Sequence, residues 1–293
     1  MSGPVADSTP RAAFGASSGQ LGVSGDSQGG ASSDYVSSSP RPAVLAARDV
    51  SVRFGGITAV NRVTTEILAD EVCGLIGPNG AGKTTLFDTL AGLSAPSSGV
   101  VELDGVDITR RSATWRSRHG IRRTFQRHQP FGWLSVEDNI LVAMEWRGGG
   151  GGPLADLVYL PRRTRRERQR RIRVDEVMEL CGIGHLRNEA AGRLPIGQIR
   201  MVEIARAIVD RPRVLLLDEP TSGLDDAELP EVGAMIQQIR REEACGIVLV
   251  EHNVGFVMQT CSRIVVLNLG RIIAEGTPEL VRKDAAVAEA YLG

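Results

Sequence analysis

The spacing of hydrophobic and polar residues changes along the chain, from alternation to continuous apolar runs. Residues Val44–Phe54 and Ile57–Leu68 alternate as the strands of a meander do, and Gly55-Gly56 between them predicts a tight connection. Continuous apolar runs are typical of strands that are buried on both faces in an α/β core. The apolar runs are Val72–Ile76, Val214–Leu217, Gly246–Val250 and Ile264–Leu267, and two further candidate strands are Gly99–Leu103 and Ile121–Phe125.

Helical segments separate these strands and predict an α/β fold. Between Gln126 and Arg193 the chain is expected to be mostly helical, with an interruption at Gly148–Gly152. Residues 1–43 are mainly Ser, Gly, Ala and Pro with few large apolar side chains, so we expect a disordered tail there. The other predicted helices are about Lys83–Leu93, Ile199–Val209, Leu229–Arg241 and Asn253–Thr260.

Composition narrows the class of protein. The 293 residues carry a formal net charge of −1, which argues for no particular charged partner. No apolar run approaches the roughly 20 residues needed to span a bilayer, and no apolar core of a secretory signal is present, so we expect a cytoplasmic protein. The scattered cysteines lack CxxC spacing, as in a reduced protein with inert thiols: Cys73, Cys181, Cys245 and Cys261.

A glycine-rich loop follows the strand Val72–Ile76 and opens the helix predicted from Lys83. It matches GxxxxGK[ST], in which glycines let backbone N–H groups point at phosphates and the helix N-terminus adds a positive dipole. Lys83 would bring a fixed charge to the outer phosphates, and Thr84 a hydroxyl to Mg²⁺. The pattern predicts that ATP or a similar nucleotide is bound by Gly77, Pro78, Asn79, Gly80, Ala81, Gly82, Lys83, Thr84 and Thr85.

Two carboxylates end the buried strand Val214–Leu217. Asp218 suits a role in holding Mg²⁺ through a water molecule, and Glu219 suits a general base or water-positioning residue for attack on the γ-phosphate. An apolar strand that ends in acidic residues is common by itself. Its place downstream of a phosphate loop favours the catalytic interpretation.

The order of these motifs resembles that of the ATP-binding subunit of an ABC transporter, over residues 44–293. The resemblance implies a P-loop ABC ATPase fold, with a RecA-like mixed-sheet core, an antiparallel β subdomain and a helical subdomain at roughly 127–195. It also implies that Gln126 in Arg-Thr-Phe-Gln senses Mg²⁺ and takes part in catalysis, that Asp225 belongs to a loop at the dimer interface, and that His252 contacts the γ-phosphate.

The resemblance suggests two further contacts with the nucleotide. Phe54 lies where the family places an aromatic residue that stacks on adenine, although an aromatic residue on a strand is more often part of the core. Gly197 and Gln198 belong to a signature segment whose helix reaches the γ-phosphate held by the other subunit. Arg200 and Arg206 on that helix add positive charge nearby, although most arginines on such a helix are simply solvated.

The signature reads Leu-Pro-Ile-Gly-Gln over residues 194–198 where the usual form is LSGGQ. Pro195 can donate neither a hydroxyl nor an N–H group, so one contact is missing. The variant is similar to that of ATPases serving branched-chain amino acid importers, and so are Arg-Thr-Phe-Gln and the C-terminal run from Gly270. Ile196, often aromatic in that subfamily, and Asn253, commonly Asp, depart from the pattern.

An arginine-rich block precedes the signature and allows three interpretations. The three are a solvated helix face, a surface that contacts anionic lipid beside a permease, and a nucleic-acid backbone site. The block lacks interleaved aromatic residues, so nothing in it suggests base stacking. Its members are Arg162, Arg163, Arg165, Arg166, Arg168, Arg170, Arg171 and Arg173.

The function implied by the resemblance is that of an ATP-hydrolysing, energy-coupling subunit of an importer for branched-chain or other amino acids. Its partners would be a second ATPase subunit, permease subunits and an extracytoplasmic solute-binding protein, at the cytoplasmic face of the membrane; no nucleic acid is expected. The alternatives are an ATPase for urea or amide uptake or lipid-like export, a soluble ABC protein acting on ribosomes or DNA, and a partner that binds ATP without hydrolysing it.

Overall fold

The computed structural model describes residues 43–124, 130–144 and 160–292. The predicted tail, apart from its last residue, lies outside the described residues, as do Gln126 and the interruption at Gly148–Gly152. Within the described ranges the strands are β1 (Ala43–Phe54), β2 (Ile57–Leu68), β3 (Val72–Ile76), β4 (Ser98–Leu103), β5 (Val106–Asp107), β6 (Ile121–Arg123), β7 (Val214–Asp218), β8 (Gly246–Val250), β9 (Arg263–Asn268) and β10 (Arg271–Gly276).

The helices alternate with the strands of the core. They are α1 (Lys83–Ala91), α2 (Ala113–Arg118), α3 (Val136–Val142), α4 (Leu160–Leu180), α5 (Ile196–Ile208), α6 (Leu229–Glu243), α7 (Val254–Thr260), α8 (Pro278–Lys283) and α9 (Ala285–Leu292), with 3-10 turns at Gly184–Leu186 and Ala191–Arg193. None of those in the described ranges is long and apolar enough to cross a bilayer.

The strands form two sheets. An antiparallel sheet has the order β2-β1-β4-β5, and a mixed sheet has the order β10-β9-β3-β8-β7-β6. In the mixed sheet every neighbouring pair from β9 to β6 is parallel, and β10 runs antiparallel to β9. The carboxyl ends of β3, β7 and β8 therefore lie at one edge, where ligands bind in open α/β sheets.

Successive residues of the central strands pack into different cores. Leu215 and Leu217 of β7 belong to a cluster formed with the helices α5 and α6, whereas Val214 and Leu216 belong to a cluster formed with α1 and the antiparallel sheet. Burial on both faces explains why these strands are continuous apolar runs in the sequence. The predicted α/β architecture is confirmed.

Several boundaries differ from those predicted. Helix α1 stops at Ala91 because Gly92 adopts the left-handed conformation that ends many helices (φ 79°). Strand β6 ends at Arg123, and the last residue of the strand predicted there, Phe125, lies outside the described residues. Helix α5 begins at Ile196 rather than Ile199, so the signature glycine lies in its first turn. The short strands and helices β5, β10, α2, α8 and α9 were not predicted.

Candidate functional site

The phosphate loop between β3 and α1 has a backbone that only glycine can adopt at two positions. Gly77 and Gly82 have φ angles of 151° and 99°. A Cβ atom at Gly77 would collide with the carbonyl oxygen of Leu267, and one at Gly82 with that of Ala59. These glycines are therefore required by the close approach of β9 and β2, independently of any ligand.

The lysine of the loop is turned inward. Its Nζ donates hydrogen bonds to the carbonyl oxygens of Gly77 (2.7 Å) and Pro78 (3.0 Å), and the residue is 6% exposed. Burial lowers the pKa of Lys83, and the charge of Glu219 opposes that shift. The loop thus encloses a cation whose present partners are neutral carbonyl groups, an arrangement that an anionic phosphate can replace.

The first turn of α1 is open to an anion. Gly82 occupies its N-cap without a side chain to accept from the free N–H groups, and no acidic residue lies in the first turn. Thr84 is exposed and Thr85 half-buried at this end of the helix. Unpaired N–H groups and the dipole of the helix together favour a phosphate here.

The carboxylate of Asp218 is buried and already paired. Its Oδ2 accepts from Arg123 Nη2 at 2.8 Å, and its N–H donates to Thr124 Oγ1 at 3.2 Å. Arg123 also pairs with Asp88 of α1 and lies 4.7 Å from the centre of the Phe87 ring. Arg123 was not among the predicted site residues, although Arg-Thr-Phe-Gln places a charged residue in a predicted strand.

Glu219 and His252 meet at the edge of the sheet. His252 Nε2 lies 3.0 Å from Glu219 Oε1, and the imidazole is more exposed than the carboxylate. Glu219 has a φ of 47°, which is uncommon for a residue other than glycine. The unexpected Asn253 caps α7, since its Oδ1 accepts from the N–H of Phe256 at 3.0 Å. An Asp in that position would make the same hydrogen bond.

The signature segment is exposed where it departs from the usual form. Pro195 occupies the N-cap of α5, and Ile196 is 52% exposed. A Cβ atom at Gly223 would lie 3.2 Å from Ile196 Cγ2, so the isoleucine lies beside the loop that follows β7. A Cβ atom at Gly197 would lie 2.8 Å from Leu224, so this glycine is required for close packing.

Gln198 and Asp225, two other residues predicted to lie at the nucleotide of the second subunit, differ in exposure. Gln198 is half-buried in the first turn of α5, and Asp225 is exposed, with its N–H donating to Glu228 at 2.8 Å. The expectation of solvated arginines is wrong for Arg200, which is 1% exposed and lies 3.5 Å from Glu203. Arg206 lies 5.5 Å from the centre of the Phe131 ring, and burial lowers its pKa.

Phe54 does not belong to the core. It is 57% exposed at the end of β1 and pairs across the hairpin with Ile57, which is also exposed. The alternative that this aromatic residue is part of the core is therefore wrong. An exposed ring at this position is free to stack on a base.

The donor set suits Mg²⁺ better than a metal held by protein alone. In the described ranges no group of three or more His, Cys, Asp or Glu side chains is arranged to hold a metal ion. Mg²⁺ usually binds through one or two carboxylates together with water and substrate phosphates. Thr84 and Asp218 supply hard oxygen atoms of this kind, while Gln126 lies outside the described residues.

Part of the arginine-rich block is structural. Arg173 of α4 donates to the carbonyl oxygens of Ile208 and Val209 at the end of α5, and pairs with Glu243 at 2.7 Å. Arg171 pairs with Glu137 and Glu167 at 3.2 and 3.1 Å. Arg165 and Arg168 are exposed, whereas the side chains of Arg162, Arg163 and Arg166 lie outside the described residues.

The cysteines have the surroundings of inert thiols. Cys73, Cys181, Cys245 and Cys261 are all buried and unpaired with one another. Burial raises the pKa of Cys73, Cys181 and Cys245 to about 12, so the reactive thiolate is scarce at neutral pH.

Comparison with known proteins gives two family matches and many relatives. Residues 60–222 match the family described as ABC transporter, and residues 271–293 match the family described as branched-chain amino acid ATP-binding cassette transporter. The high-affinity branched-chain amino acid transport ATP-binding protein BraF of Pseudomonas aeruginosa is 38% identical over 250 residues, 85% of this chain and 98% of BraF. The lipopolysaccharide export system ATP-binding protein LptB of Haemophilus influenzae is 34% identical over 250 residues, 85% of this chain and 97% of LptB.

A solved structure supports the same conclusion about the fold. The ADP conformation of an ATP-binding cassette of an ABC transporter superposes with a TM-score of 0.74 at 28% sequence identity. The match covers 86% of this chain and 99% of that one. The predicted P-loop ABC ATPase fold is confirmed.

Proposed function

Because the chain belongs to the ABC transporter ATPase family, we propose that it is the energy-coupling subunit of an importer for branched-chain or other amino acids. Membership makes it an ATP-binding ATPase that dimerises and works with permease subunits. The observation that carries the catalytic part is the pair Glu219–His252, 3.0 Å apart, at the same sheet edge as the phosphate loop. The C-terminal match at residues 271–293 supports the class of substrate.

The phosphate loop binds the nucleotide in this account. Backbone N–H groups of residues 77–85 surround the phosphates, and Lys83 exchanges the carbonyl oxygens of Gly77 and Pro78 for phosphate oxygens. The exposed ring of Phe54 stacks on adenine, a contact that contributes about 1–3 kcal/mol in other aromatic–base pairs. Charge and stacking thus hold opposite ends of ATP.

Hydrolysis depends on the groups that follow β7 and β8. Glu219 orients and deprotonates the attacking water, and His252 contacts the γ-phosphate while it holds the Glu219 carboxylate. Thr84, Gln126 and Asp218 would hold Mg²⁺, which would neutralise charge on the phosphates. Arg123 keeps the Asp218 carboxylate directed towards α1 through its second contact with Asp88.

Two cassettes complete each other's sites. Gly197, Gln198 and Asp225 face the nucleotide of the second subunit, which can be an identical chain or a related ATPase. Permease subunits hold the pair at the cytoplasmic face of the membrane, and an extracytoplasmic solute-binding protein delivers the amino acid. The energy-coupling subunit itself needs no contact with nucleic acid.

Export of a lipid-like molecule is the second candidate, favoured by the 34% identity to LptB. The C-terminal match to the branched-chain amino acid cassette favours import instead. Uptake of radiolabelled leucine by cells with and without the gene separates the two. We expect uptake to fall at least about tenfold without the gene and to return with the wild-type chain but not with Lys83→Ala. Unchanged uptake of leucine, isoleucine and valine would overturn the substrate assignment.

A further inference from the structure

A buried carboxylate next to His252 joins the two loops that carry the proposed catalytic groups. Glu251 follows β8 directly and is 5% exposed. Its Oε1 accepts hydrogen bonds from the N–H (2.8 Å) and the Oγ1 hydroxyl (2.6 Å) of Thr221, and its Oε2 accepts from the N–H of His252 (3.0 Å). One side chain therefore ties the loop after β7 to the loop after β8.

The backbone at Glu219 needs such support. A residue other than glycine with φ near 47° is strained and persists only where its surroundings fix it. On one side, the Glu219 N–H donates to the carbonyl oxygen of Val250 at 2.9 Å. Two residues later, Thr221 is held by Glu251. Two consecutive residues at the end of β8 thus fix both sides of the turn that presents Glu219.

We propose that Glu251 is a positioning residue for ATP hydrolysis, an inference that rests on the proposed function. It acts by holding the loops so that Glu219 Oε1 and His252 Nε2 remain 3.0 Å apart. Three donors point at its two oxygen atoms, so the site requires a group that only accepts. The amide of glutamine would turn a donor towards at least one of them.

The test compares Glu251→Gln with a matched control. We expect Glu251→Gln to lower kcat about 10- to 100-fold, the effect of losing one charge-assisted hydrogen bond, with KM for ATP within about threefold because the phosphate loop is untouched. The control is Glu71→Gln. Glu71 is also 5% exposed and accepts hydrogen bonds from Leu68 and Arg263. It directly precedes β3 and therefore lies at the amino ends of the strands, opposite the edge that carries Glu219 and His252. The kcat of Glu71→Gln should stay within about threefold of wild type, even if the variant is less stable.

Thr221 provides a second, independent set of variants. Thr221→Val removes the hydroxyl donor, and Thr221→Ser keeps it. We expect kcat to fall about 3- to 10-fold in the first and to be rescued in the second. In the double variant with Glu251→Gln the effects should be less than multiplicative, because Thr221 acts through the same carboxylate.

The outcomes separate this inference from the proposed function. If the wild-type chain does not hydrolyse ATP, the proposed function fails. If wild type is active and Glu251→Gln matches the Glu71→Gln control, the positioning role is overturned and the ATPase assignment stands. If Glu251→Gln does not fold, the Thr221 pair decides, since equal kcat in Thr221→Val and Thr221→Ser would overturn the role.

Discussion

The phosphate loop and the signature segment are both glycine-containing loops that open a helix, but their surroundings differ. Gly77 and Gly82 are enclosed by backbone of β2 and β9, and Lys83 is turned into the loop. In the signature, Pro195 and Ile196 are exposed at the start of α5. A loop enclosed by its own chain tolerates little variation, whereas an exposed segment can vary where few atoms of its own chain pack against it.

This difference explains where the sequence departs from the usual pattern of the family. The phosphate loop keeps every expected residue, and the two replacements in the signature fall on exposed positions. Gly197, which packs against Leu224, is kept. We therefore expect the proline to be compatible with a working site.

Replacement of Arg123, which pairs with Asp218 near the enclosed phosphate loop, is expected to have the larger of two effects. Arg123→Gln leaves Asp218 buried without its partner, and we expect the free energy of unfolding to fall by about 3 kcal/mol. Mg²⁺ and ATP together should restore more stability in the variant than in wild type, because a cation then lies beside Asp218 again. Denaturant unfolding with and without Mg²⁺–ATP measures both effects.

The adjacent arginine is the control for that experiment. Arg122 pairs with the buried Asp210, away from the phosphate loop, so Arg122→Gln should destabilise the chain without changing its response to Mg²⁺–ATP. An equal response in the two variants would show that Arg123 contributes only an ordinary ion pair. The enclosed site would then depend less on the charges of Arg123 and Asp218 than the comparison of the two loops implies.

Replacement of Pro195, in the exposed signature segment, is expected to have the smaller effect. Pro195→Ser restores the usual signature residue at a position where the proline contributes only a helix N-cap without a side-chain hydrogen bond. We expect kcat of the dimeric enzyme to stay within about threefold of wild type, since one neutral hydrogen bond contributes about 1 kcal/mol. Steady-state ATPase assays suffice for this comparison.

Gly197→Val is the matched control in the same turn. Its side chain would collide with Leu224, so activity should fall sharply while Pro195→Ser remains near wild type. A large gain of activity in Pro195→Ser would mean that the proline is a lesion. That result would remove the basis for treating the two loops differently.

The sequence predicted best what depends on local pattern. Strands β3 and β8 have the predicted bounds because continuous apolar runs define them, and the phosphate loop lies where its motif placed it. Strand β10 was missed because its residues are partly exposed and lack such a run. Its position depends on pairing with β9, which local pattern does not encode.

Contacts between distant residues account for the rest of what was missed. The ion pair Arg123–Asp218 joins strands β6 and β7, and the hydrogen bonds between Glu251 and Thr221 join the loops that follow β8 and β7. The burial of Arg200 was not predicted, because helix periodicity does not show which polar residue is covered by a neighbouring element. Such features become visible only when the order of strands in the sheet is known.

The most direct test of the account is the behaviour of Glu219→Gln in purified protein. The variant should bind Mg²⁺–ATP as wild type does and accumulate as a closed dimer on size-exclusion chromatography, because the glutamine cannot accept the proton of the attacking water. Turnover should fall at least about 100-fold. Hydrolysis at the wild-type rate would contradict the account, since the catalytic base would then lie elsewhere.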